Sequence, residues 1–332
     1  MPRVSVLLPV RDAAGTLARC LASLAAQSLA DHEVLAVDDG SRDGSGGLLE
    51  EAAQRDPRLR VRHTPPHGLV SALNLALSEA RAPLVARMDA DDWTHPGRLA
   101  RQAHLLDQEP ALHVLGCRVR AVGSVGRGMR RYVAWSNGLL DHEAITRDLF
   151  VESPLVHPSV MLRTAALREL GGYREAAGPE DYDLWLRAAA AGWRFAKLPE
   201  TLLEWRDRPD RLTRCDARYS PERFQTRKLE ALEAGVLRAR RPIVIWGAGP
   251  IGKGWAHALQ ARGHEVAAFV EVAPRKIGQR IAGIPVRDLA AARSVAGALH
   301  LAAVGQPGAR TRIRRAARRL GLSEGSDLIA VA

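Results

Sequence analysis

The first 89 residues alternate continuous apolar segments with segments of helical periodicity, and this alternation limits most strongly how the chain can fold. Apolar segments cover 4–10, 33–39, 59–63 and 83–89, and helical patterns cover 16–28, 47–55 and 69–80. Strands that are apolar on both faces and joined by helices are typical of a parallel sheet covered on both sides. The sequence therefore predicts an α/β fold with a mostly parallel sheet and helices on both faces.

Acidic residues follow the predicted strands at the ends where ligands bind. Asp38 and Asp39 end the second strand, and Asp89 and Asp91 come at the end of the fourth. In open parallel sheets, ligands lie beyond the carboxyl ends of the strands. A turn could explain Asp38-Asp39-Gly40, since Asp and Gly are favoured in turns, but a carboxylate there can also accept hydrogen bonds from a ribose or a base.

The segment MDADD (88–92) places three carboxylates in four positions, which repulsion and desolvation both disfavour. A surface turn tolerates such a group, and a hard divalent cation such as Mg²⁺ or Mn²⁺ requires one. Alternate residues of a strand share a face, so Asp89 and Asp91 are expected on one side, with Ala90 pointing away. The first strand is followed by PVRDAAGT, which lacks the glycine pattern of a dinucleotide loop.

GPEDYDLWLR (178–187) places Glu180 and Asp181 at the start of a predicted helix. Acidic residues in a first turn after a proline are ordinary helix chemistry. A carboxylate at that position beside a cleft could equally remove a proton from a hydroxyl group. The residues alone leave both interpretations open.

Several segments in the same order resemble the family 2 glycosyltransferases of the GT-A fold, over nearly all of residues 3–206. They are SVLLPVRDAAGTLARCLASLAAQS, VLAVDDGSRDGS, GLVSALNLALSEARAPLVARMDADDWTHPGRLARQ, HPSVMLR and GYREAAGPEDYDLWLR. The resemblance implies transfer of a sugar from a nucleotide diphosphate donor, with inversion at the anomeric carbon. UDP is the donor nucleotide most expected, followed by dTDP and GDP.

The resemblance also implies roles for individual residues. The metal, Mn²⁺ or Mg²⁺, would be held by Asp91 and Asp89, and Asp181 would be the catalytic base. The remaining positions would bind the nucleotide-sugar: Pro9, Val10, Asp38, Asp39, Asn74, Asp89 and Glu180.

Three departures from the family pattern qualify these assignments. Where many relatives have Arg-Asn, this chain has Leu73-Asn74, so a phosphate contact would be absent or come from Arg81 or Arg87. Relatives often carry an aromatic-Arg-x-His segment whose histidine can bind the metal, whereas residues 205–208 read Trp-Arg-Asp-Arg. His157 could substitute, although a structural histidine is the favoured interpretation. The Gln-x-x-Arg-Trp signature of processive synthases is absent, which favours addition of a single sugar.

A second α/β pattern begins after residue 239, so we expect domains at 1–239 and 240–332. WGAGPIGKG (246–254) follows a strand and opens a helix, and Glu271 ends the next strand. This arrangement is typical of a Rossmann-like dinucleotide loop, in which Gly247, Gly249 and Gly252 approach a pyrophosphate and Glu271 approaches a ribose. Because the module is short and lacks a second substrate domain, a structural or regulatory role is favoured over redox catalysis.

The basic character of the chain belongs to its last third. Residues 240–332 carry 15 Lys and Arg against 5 Asp and Glu, a net +10 of the total +11. Six arginines lie in ARTRIRRAARRL (309–320), beside an apolar stripe of Ile313, Ala316, Ala317 and Leu320. Such a helix can contact anionic lipid, nucleic acid or an acidic polymer, although a solvated surface is the commoner explanation.

No apolar segment is long enough to span a bilayer, and the N-terminus lacks a signal pattern. We therefore expect a cytoplasmic protein that can lie peripherally at the inner membrane face, with a glycan or lipid-linked acceptor and no nucleic acid partner. Three cysteines without paired spacing indicate no zinc or disulfide framework. Two alternatives remain: an NAD(P)-dependent sugar-modifying or bifunctional enzyme, and a non-catalytic basic scaffold.

Overall fold

The structure is a computed structural model that describes residues 1–175, 178–208 and 211–332, with only the backbone at position 212. The chain forms two compact units: Met1–Ile145 with Pro154–Ser220, and Thr146–Ser153 with Pro221–Ala332. The expected limits, 1–239 and 240–332, divide the chain at a later point and do not separate the segment 146–153. Residues 176 and 177, within the segment GYREAAGPEDYDLWLR, lie outside the described residues, as do residues 209 and 210.

The first unit contains an eight-stranded sheet in the order β3-β2-β1-β4-β7-β6-β8-β5. Its strands are β1 Val4–Val10, β2 His32–Asp39, β3 Leu59–Thr64, β4 Leu84–Arg87, β5 Trp93–Thr94, β6 Leu112–Gly123, β7 Met161–Arg163 and β8 Arg194–Asp207. β1 pairs in parallel with β2 and β4, and β2 with β3, whereas β7 runs antiparallel to β4 and β6. The mostly parallel sheet expected from the sequence is confirmed.

Helices cover the sheet of the first unit. They are α1 Ala14–Ala25, α2 Ser45–Arg55, α3 Leu69–Glu79, α4 Arg98–Gln108, α5 Arg127–Asn137, α6 His142–Arg147, α7 Thr164–Glu169, α8 Glu180–Ala190 and α9 Leu212–Cys215, with 3-10 turns at His157–Ser159 and Ala217–Tyr219. α1 shows why they pack: its buried residues Leu17, Cys20 and Leu24 recur at helical spacing and meet buried strand residues such as Val6 and Leu8. β1, β2 and β3 are each followed by a helix, whereas β4 is followed by the short strand β5.

The elements that were not predicted from the sequence include two long ones in the first unit. The Gly- and Arg-rich stretch after β6 forms α5, and the stretch after α8 forms the 14-residue strand β8. β8 pairs in parallel with β6, but the register jumps so that Cys117 faces Leu198 and Arg118 faces Thr201. Pro199 and Glu200 therefore interrupt the ladder, and this irregularity hides the strand from its sequence pattern.

The second unit contains a six-stranded sheet in the order β11-β12-β10-β9-β13-β14. Its strands are β9 Ile243–Trp246, β10 Val266–Val270, β11 Arg280–Ile281, β12 Ile284–Arg287, β13 Leu299–Ala302 and β14 Leu328–Ala330; its helices are α10 Pro221–Ala234, α11 Pro250–Ala261 and α12 Ala309–Arg319, with 3-10 turns at Val236–Ala239 and Ala290–Ser294. All pairings are parallel except that of β11 with β12. Counted from β9, the parallel strands follow the order 3-2-1-4-5, which agrees with the first five positions of the Rossmann order.

Every helix in the described ranges is too short or too polar to cross a membrane.

Candidate functional site

Three carboxylates converge after β4, in a turn that we call the Asp89–Asp92 turn. Asp89, Asp91 and Asp92 each offer one oxygen, and these three oxygens lie within 4.8 Å of one another. Asp89 and Asp91 are partly exposed, whereas Asp92 is buried. The grouping follows β1, β2 and β4, whose carboxyl ends share one edge of the sheet.

The carboxylates are brought together by a turn and not by strand alternation. β4 ends at Arg87, and the backbone N–H of Asp92 donates to the carbonyl of Asp89 at 3.2 Å. Asp89 and Asp91 do lie close together, as expected. The expected reason, alternation along a strand, is wrong. A tight turn draws in the third carboxylate, Asp92, which strand alternation would have turned away.

Arginines compensate part of this negative charge. The Nη2 of Arg87 donates to Oδ1 of Asp89 at 2.6 Å, and Nε of Arg208 lies 3.1 Å from Oδ2 of Asp91. Arg87 is buried, and although burial opposes its charge, the nearby Asp89 holds the pKa of Arg87 above its usual value. Asp92 accepts the backbone N–H of Arg206, at 2.8 Å from Oδ1.

Negative charge remains in excess in the turn. Burial and the neighbouring Asp89 raise the pKa of Asp91, and Arg208 and Arg211 offset only part of that effect. Burial raises the pKa of Asp92 further, and Asp89 and Asp91 add to it. The second oxygen of Asp92, Oδ2, is buried and has no hydrogen-bond partner among the residues that the structure describes. The turn therefore favours an added cation.

The turn fits the group that the fold family implies. Hard divalent cations bind carboxylate oxygens and often use only one or two protein ligands, leaving other positions to phosphate and water. Asp91 and Asp89 supply partly exposed oxygens, and the unpaired oxygen of Asp92 lies behind them. His157 is not part of this group among the described residues.

Asp38 and Asp39 end β2, as predicted, and both are buried. Oδ1 of Asp38 accepts the backbone N–H of Ser41 at 3.0 Å, and Oδ2 lies 3.0 Å from Nδ1 of His63. Burial opposes ionisation of Asp38, but these hydrogen bonds outweigh it and lower its pKa. Both carboxylates are thereby fixed in place.

Asp39 organises the loop that leads into α3. Its Oδ1 accepts the backbone N–H groups of His67 at 2.7 Å and Gly68 at 3.1 Å. Arg11, from the loop after β1, lies 3.4 Å from Oδ2. Half-buried Pro9 and buried Val10 complete the end of β1 beside Asp38, the register partner of Val10.

A buried hydrogen-bond chain holds the start of α8. Oε2 of Glu180 accepts the Tyr219 hydroxyl at 2.6 Å, and Oε1 lies 3.5 Å from Nδ1 of His157. Nε2 of His157 lies 3.1 Å from the Tyr173 hydroxyl. Burial lowers the pKa of His157, while the contact with Glu180 opposes that shift. Burial opposes ionisation of Glu180, yet these hydrogen bonds lower its pKa to about 2.

Asp181 follows Glu180 in the first turn of α8. Its Oδ1 accepts the backbone N–H of Tyr182 at 2.7 Å. Its charge helps to raise the pKa of Tyr219, after burial and Glu180, and Asp89 in turn acts on the pKa of His157. The charge of Asp181 therefore affects Tyr219, and the charge of Asp89 affects His157, which contacts Glu180 at the start of α8.

Two other predicted contacts are occupied within the protein. The Asn74 side chain donates to the Tyr173 carbonyl at 2.8 Å and accepts the Tyr173 N–H at 3.0 Å. Arg81 binds Glu33 through its backbone N–H and its guanidinium, at the amino end of the sheet. Arg81 is therefore not the substitute phosphate ligand, whereas Arg87 does reach the Asp89–Asp92 turn.

The glycine loop of the second unit has the conformation expected from its sequence. Gly247 has a φ of 105°, and a Cβ at position 252 would lie 1.8 Å from the Gly247 carbonyl oxygen, so both positions exclude side chains. A Cβ at Gly249, which precedes α11, would meet nothing within 4 Å. Glu271 accepts the backbone N–H groups of Ala248 at 3.2 Å and Val272 at 2.9 Å, and Lys276 lies 3.1 Å from it.

The arginines of α12 are not all surface charges. Arg310 and Arg314 form ion pairs with buried Asp148, and Arg314 also pairs with Glu324. The other four, Arg312, Arg315, Arg318 and Arg319, are exposed. The helix therefore combines an anchoring side with a basic solvent side.

Comparison with known proteins identifies the class. Residues 5–171 match the model of glycosyl transferase family 2. The putative glycosyltransferase EpsE of Bacillus subtilis is 31% identical over 225 residues, which cover 66% of this chain and 78% of the relative. The amylovoran biosynthesis glycosyltransferase AmsE of Erwinia amylovora is 30% identical, over 57% of this chain and 70% of the relative.

Solved structures share the fold at lower identity. The structure of S. aureus TarS 1–349 with UDP-GlcNAc has a TM-score of 0.58 at 22% identity, covering 70% of this chain and 67% of that one. The mannosyltransferase PcManGT from Pyrobaculum calidifontis, with GDP-Man and Mn²⁺, has a TM-score of 0.52 at 20% identity, covering 79% and 80%. The chain thus belongs to glycosyl transferase family 2, has the GT-A fold and is a transferase enzyme.

Proposed function

We propose that the first unit transfers a sugar from a nucleotide diphosphate donor to an acceptor hydroxyl, with inversion and with a divalent metal. The observation that carries this proposal is the convergence of three carboxylates, with one buried oxygen unpaired, at the carboxyl edge of a parallel sheet. Clustered, partly buried carboxylates repel one another, and a divalent cation relieves that repulsion. Family membership supplies the reaction class.

The donor side of the site would be built from the ends of β1, β2 and β4. Asp38 and Asp39, with Pro9 and Val10, would contact the nucleoside, and the donor contacts of Asn74 and Glu180 remain predictions. Asp91 and Asp89 would hold Mn²⁺ or Mg²⁺, with Asp92 behind them. When bound, the metal supplies positive charge for the departing diphosphate.

The acceptor side would depend on Asp181. Glu180 is fixed by His157 and Tyr219, and this fixes the first turn of α8, in which Asp181 lies next along the chain. An ionised carboxylate at this position would take the proton of the acceptor hydroxyl while the oxygen attacks the face of the sugar opposite the diphosphate. One such displacement inverts the anomeric carbon.

Two fold relatives support a nucleotide-sugar donor, but their donors differ in the nucleotide base. TarS was solved with UDP-GlcNAc and PcManGT with GDP-Man and Mn²⁺. UDP-sugars stand first in this proposal, followed by dTDP- and GDP-sugars. AmsE, named for amylovoran biosynthesis, supports a glycan acceptor, which for this chain would be a surface glycan or a lipid-linked precursor.

A thermal-shift screen tests the proposal without knowledge of the acceptor. UDP-, dTDP- and GDP-sugars are each added with Mn²⁺, with Mg²⁺ or with EDTA, and donor hydrolysis is then measured for the stabilising pairs. We expect at least one donor to raise the melting temperature with metal and much less with EDTA. Hydrolysis or transfer that is equally fast in EDTA would contradict the metal dependence.

The exposed side of α12 supports a further proposal, a peripheral contact of the cytoplasmic protein with anionic membranes. Arg312, Arg315, Arg318 and Arg319 present four positive charges on one helix, each worth up to about 1 kcal/mol near an anionic surface. Sedimentation with vesicles of phosphatidylglycerol, compared with phosphatidylcholine, measures this contact. Replacing the four arginines by Gln should abolish the difference, and unchanged binding would contradict it.

The glycine loop of the second unit stays a separate prediction of a nucleotide site formed by Gly247, Gly249, Gly252 and Glu271. The strand order and the excluded Cβ at position 252 support it, whereas the internal contacts of Glu271 leave it fewer oxygens for a ribose. Equilibrium binding of NAD and NADP to the full chain tests the alternative of an NAD(P)-dependent or bifunctional enzyme. Binding of neither one ends that alternative.

A further inference from the structure

Arg208 comes directly after β8 and reaches the turn that would hold the metal. Its Nε lies 3.1 Å from Oδ2 of Asp91, whose side chain is 15% exposed. The preceding strand end is fixed there by two contacts: the N–H of Arg206 donates to Asp92 at 2.8 Å, and Nε of Arg206 donates to the carbonyl of Asp91 at 3.2 Å. The position of Arg208 at Asp91 is thus set by the fold.

The ion pair occupies an oxygen that a divalent cation would use. Asp91 and Asp89 are the partly exposed carboxylates of the turn, and each already has an arginine: Arg208 on the first and Arg87 on the second. The two arginines differ in freedom, because Arg87 is 2% exposed and Arg208 is 35% exposed. The partly exposed side chain of Arg208 has room to move away from Asp91, whereas Arg87 is enclosed by the protein and stays at Asp89.

We propose that Arg208 is an exchangeable cation of the donor site: it neutralises Asp91 when no donor is bound and moves to the donor diphosphate when metal and donor bind. This inference rests on the proposed function. The planar guanidinium matches phosphate oxygens in paired hydrogen bonds and keeps its charge in both positions. The negative charge of Asp91 is therefore compensated in both states: by Arg208 when no donor is bound, and by the metal when metal and donor are bound.

The exchange predicts opposite effects on two affinities. In the protein without nucleotide, Arg208 competes with the metal for Asp91 and repels it, so Arg208→Gln should bind Mn²⁺ about three- to tenfold more tightly. With Mn²⁺ saturating, the same variant should bind the diphosphate about tenfold more weakly, because one charged hydrogen-bond donor is lost. A residue that only maintains local structure would weaken both affinities.

The experiment measures free Mn²⁺ by electron paramagnetic resonance and binding of UDP and GDP by calorimetry, on the full chain. Arg208→Lys keeps a positive charge and should bring nucleotide-free Mn²⁺ affinity back close to that of the unmodified protein. Arg120→Gln is the matched control: it removes the same charge from the neighbouring strand β6, where Arg120 pairs with Glu204 and not with the turn. Melting temperatures identify any variant that fails to fold.

Tighter Mn²⁺ binding by Arg208→Gln, with Arg208→Lys and Arg120→Gln unchanged, supports the exchange. Equal or weaker Mn²⁺ binding by a folded Arg208→Gln protein overturns it, as does undetectable Mn²⁺ binding in both Arg208→Gln and the unmodified protein. If Mn²⁺ binding tightens but neither UDP nor GDP binds any form, the delivery of Arg208 to a diphosphate is overturned together with the proposed donor class. If donors bind and turn over normally while Arg208→Gln changes nothing, the exchange alone fails.

Discussion

The Asp89–Asp92 turn of the first unit and the glycine loop of the second unit both place acidic side chains after parallel strands, but they satisfy those charges very differently. In the turn, Asp92 has a buried oxygen without a partner, and burial raises the pKa of Asp92 and Asp91. In the loop, burial opposes ionisation of Glu271, but Val272, Lys276 and Ala248 outweigh it and lower its pKa.

The contrast separates carboxylates whose charge is only partly compensated within the described residues from a carboxylate that the neighbouring residues satisfy. Uncompensated buried charge lowers the stability of a protein, and a bound ligand of opposite charge offsets that loss. An acidic residue at a strand end therefore does not by itself identify a ligand-binding site. The hydrogen bonds around its carboxylate are what distinguish the two regions. We expect this difference in charge compensation between the turn and the glycine loop to be visible in variants of the individual carboxylates.

Asp91→Asn should have the largest effect, lowering the rate of sugar transfer by about 10³-fold or more, because the main metal ligand is lost. The loss should persist at high Mn²⁺ concentration. Transfer rates at saturating donor measure it, with Glu51→Gln, in an exposed helical ion pair, as the matched control. A rate within a few-fold of the unmodified enzyme would remove the turn from the reaction.

Asp181→Asn should reduce transfer by about 10²- to 10⁴-fold while leaving donor binding unchanged, since only proton removal from the acceptor is lost. Donor affinity is measured by calorimetry with Mn²⁺, and transfer is measured separately. A variant that transfers sugar at the normal rate would show that another group is the base. One that loses donor affinity would place Asp181 on the donor side.

Glu33, at the amino end of the same sheet, serves as a second self-satisfied carboxylate. Burial opposes its ionisation, but hydrogen bonds from Arg81, Ser5 and Arg60 lower its pKa from 4.5 to about 2. A lowered folded-state pKa gives stability that is present above pH 4.5 and is lost as the pH falls towards 2.

Glu33→Gln should therefore reduce the free energy of unfolding by about 2–3 kcal/mol at pH 7 and by much less near pH 2. Urea unfolding at both pH values measures the difference. An equal loss at both pH values would mean that the carboxylate charge contributes nothing and that packing explains the effect.

Asp92→Asn should have the opposite sign. In EDTA at pH 7 the variant should be more stable by about 1–2 kcal/mol, because a buried and partly unpaired negative charge beside two others is removed. Thermal unfolding in EDTA measures this gain. Destabilisation in EDTA would show that the charge of Asp92 is compensated within the protein, and the contrast with the second unit would fail.

Glu271→Gln should give the smallest effect, a loss of about 1 kcal/mol, because the amide keeps one acceptor and loses the ion pair with Lys276. The loss should be the same with and without NAD if the loop needs no ligand. Hydrogen exchange in β9 and β10 measures it within the second unit. A gain in stability would make Glu271 resemble Asp92.

Much of this arrangement could be predicted from the sequence where local pattern dominates. The strand Val4–Val10 was predicted with its observed bounds, because a continuous apolar segment between turns has few alternatives. Asp38 and Asp39 follow from the same pattern, since they end such a segment. The family, the fold and the transferase class are confirmed by comparison with known proteins.

The rest depends on contacts distant in sequence. β8 was missed because its ladder is interrupted at Pro199 and Glu200, and with it the position of Arg208 at Asp91. Asp92 was not predicted as a ligand because strand alternation was assumed where the chain turns. The link from Glu180 to Tyr219 joins residues 39 positions apart, and no local pattern indicates it.

The most direct test of the central claim is a crystal structure of the full chain with Mn²⁺ and UDP or GDP, with Mn²⁺ located by anomalous scattering. We expect one Mn²⁺ peak about 2.0–2.6 Å from a carboxylate oxygen of Asp91, between that residue and the diphosphate. We also expect Asp181 to face the space where the sugar would lie. A bound nucleotide whose diphosphate lies away from the Asp89–Asp92 turn, with no Mn²⁺ peak at Asp91, would contradict it.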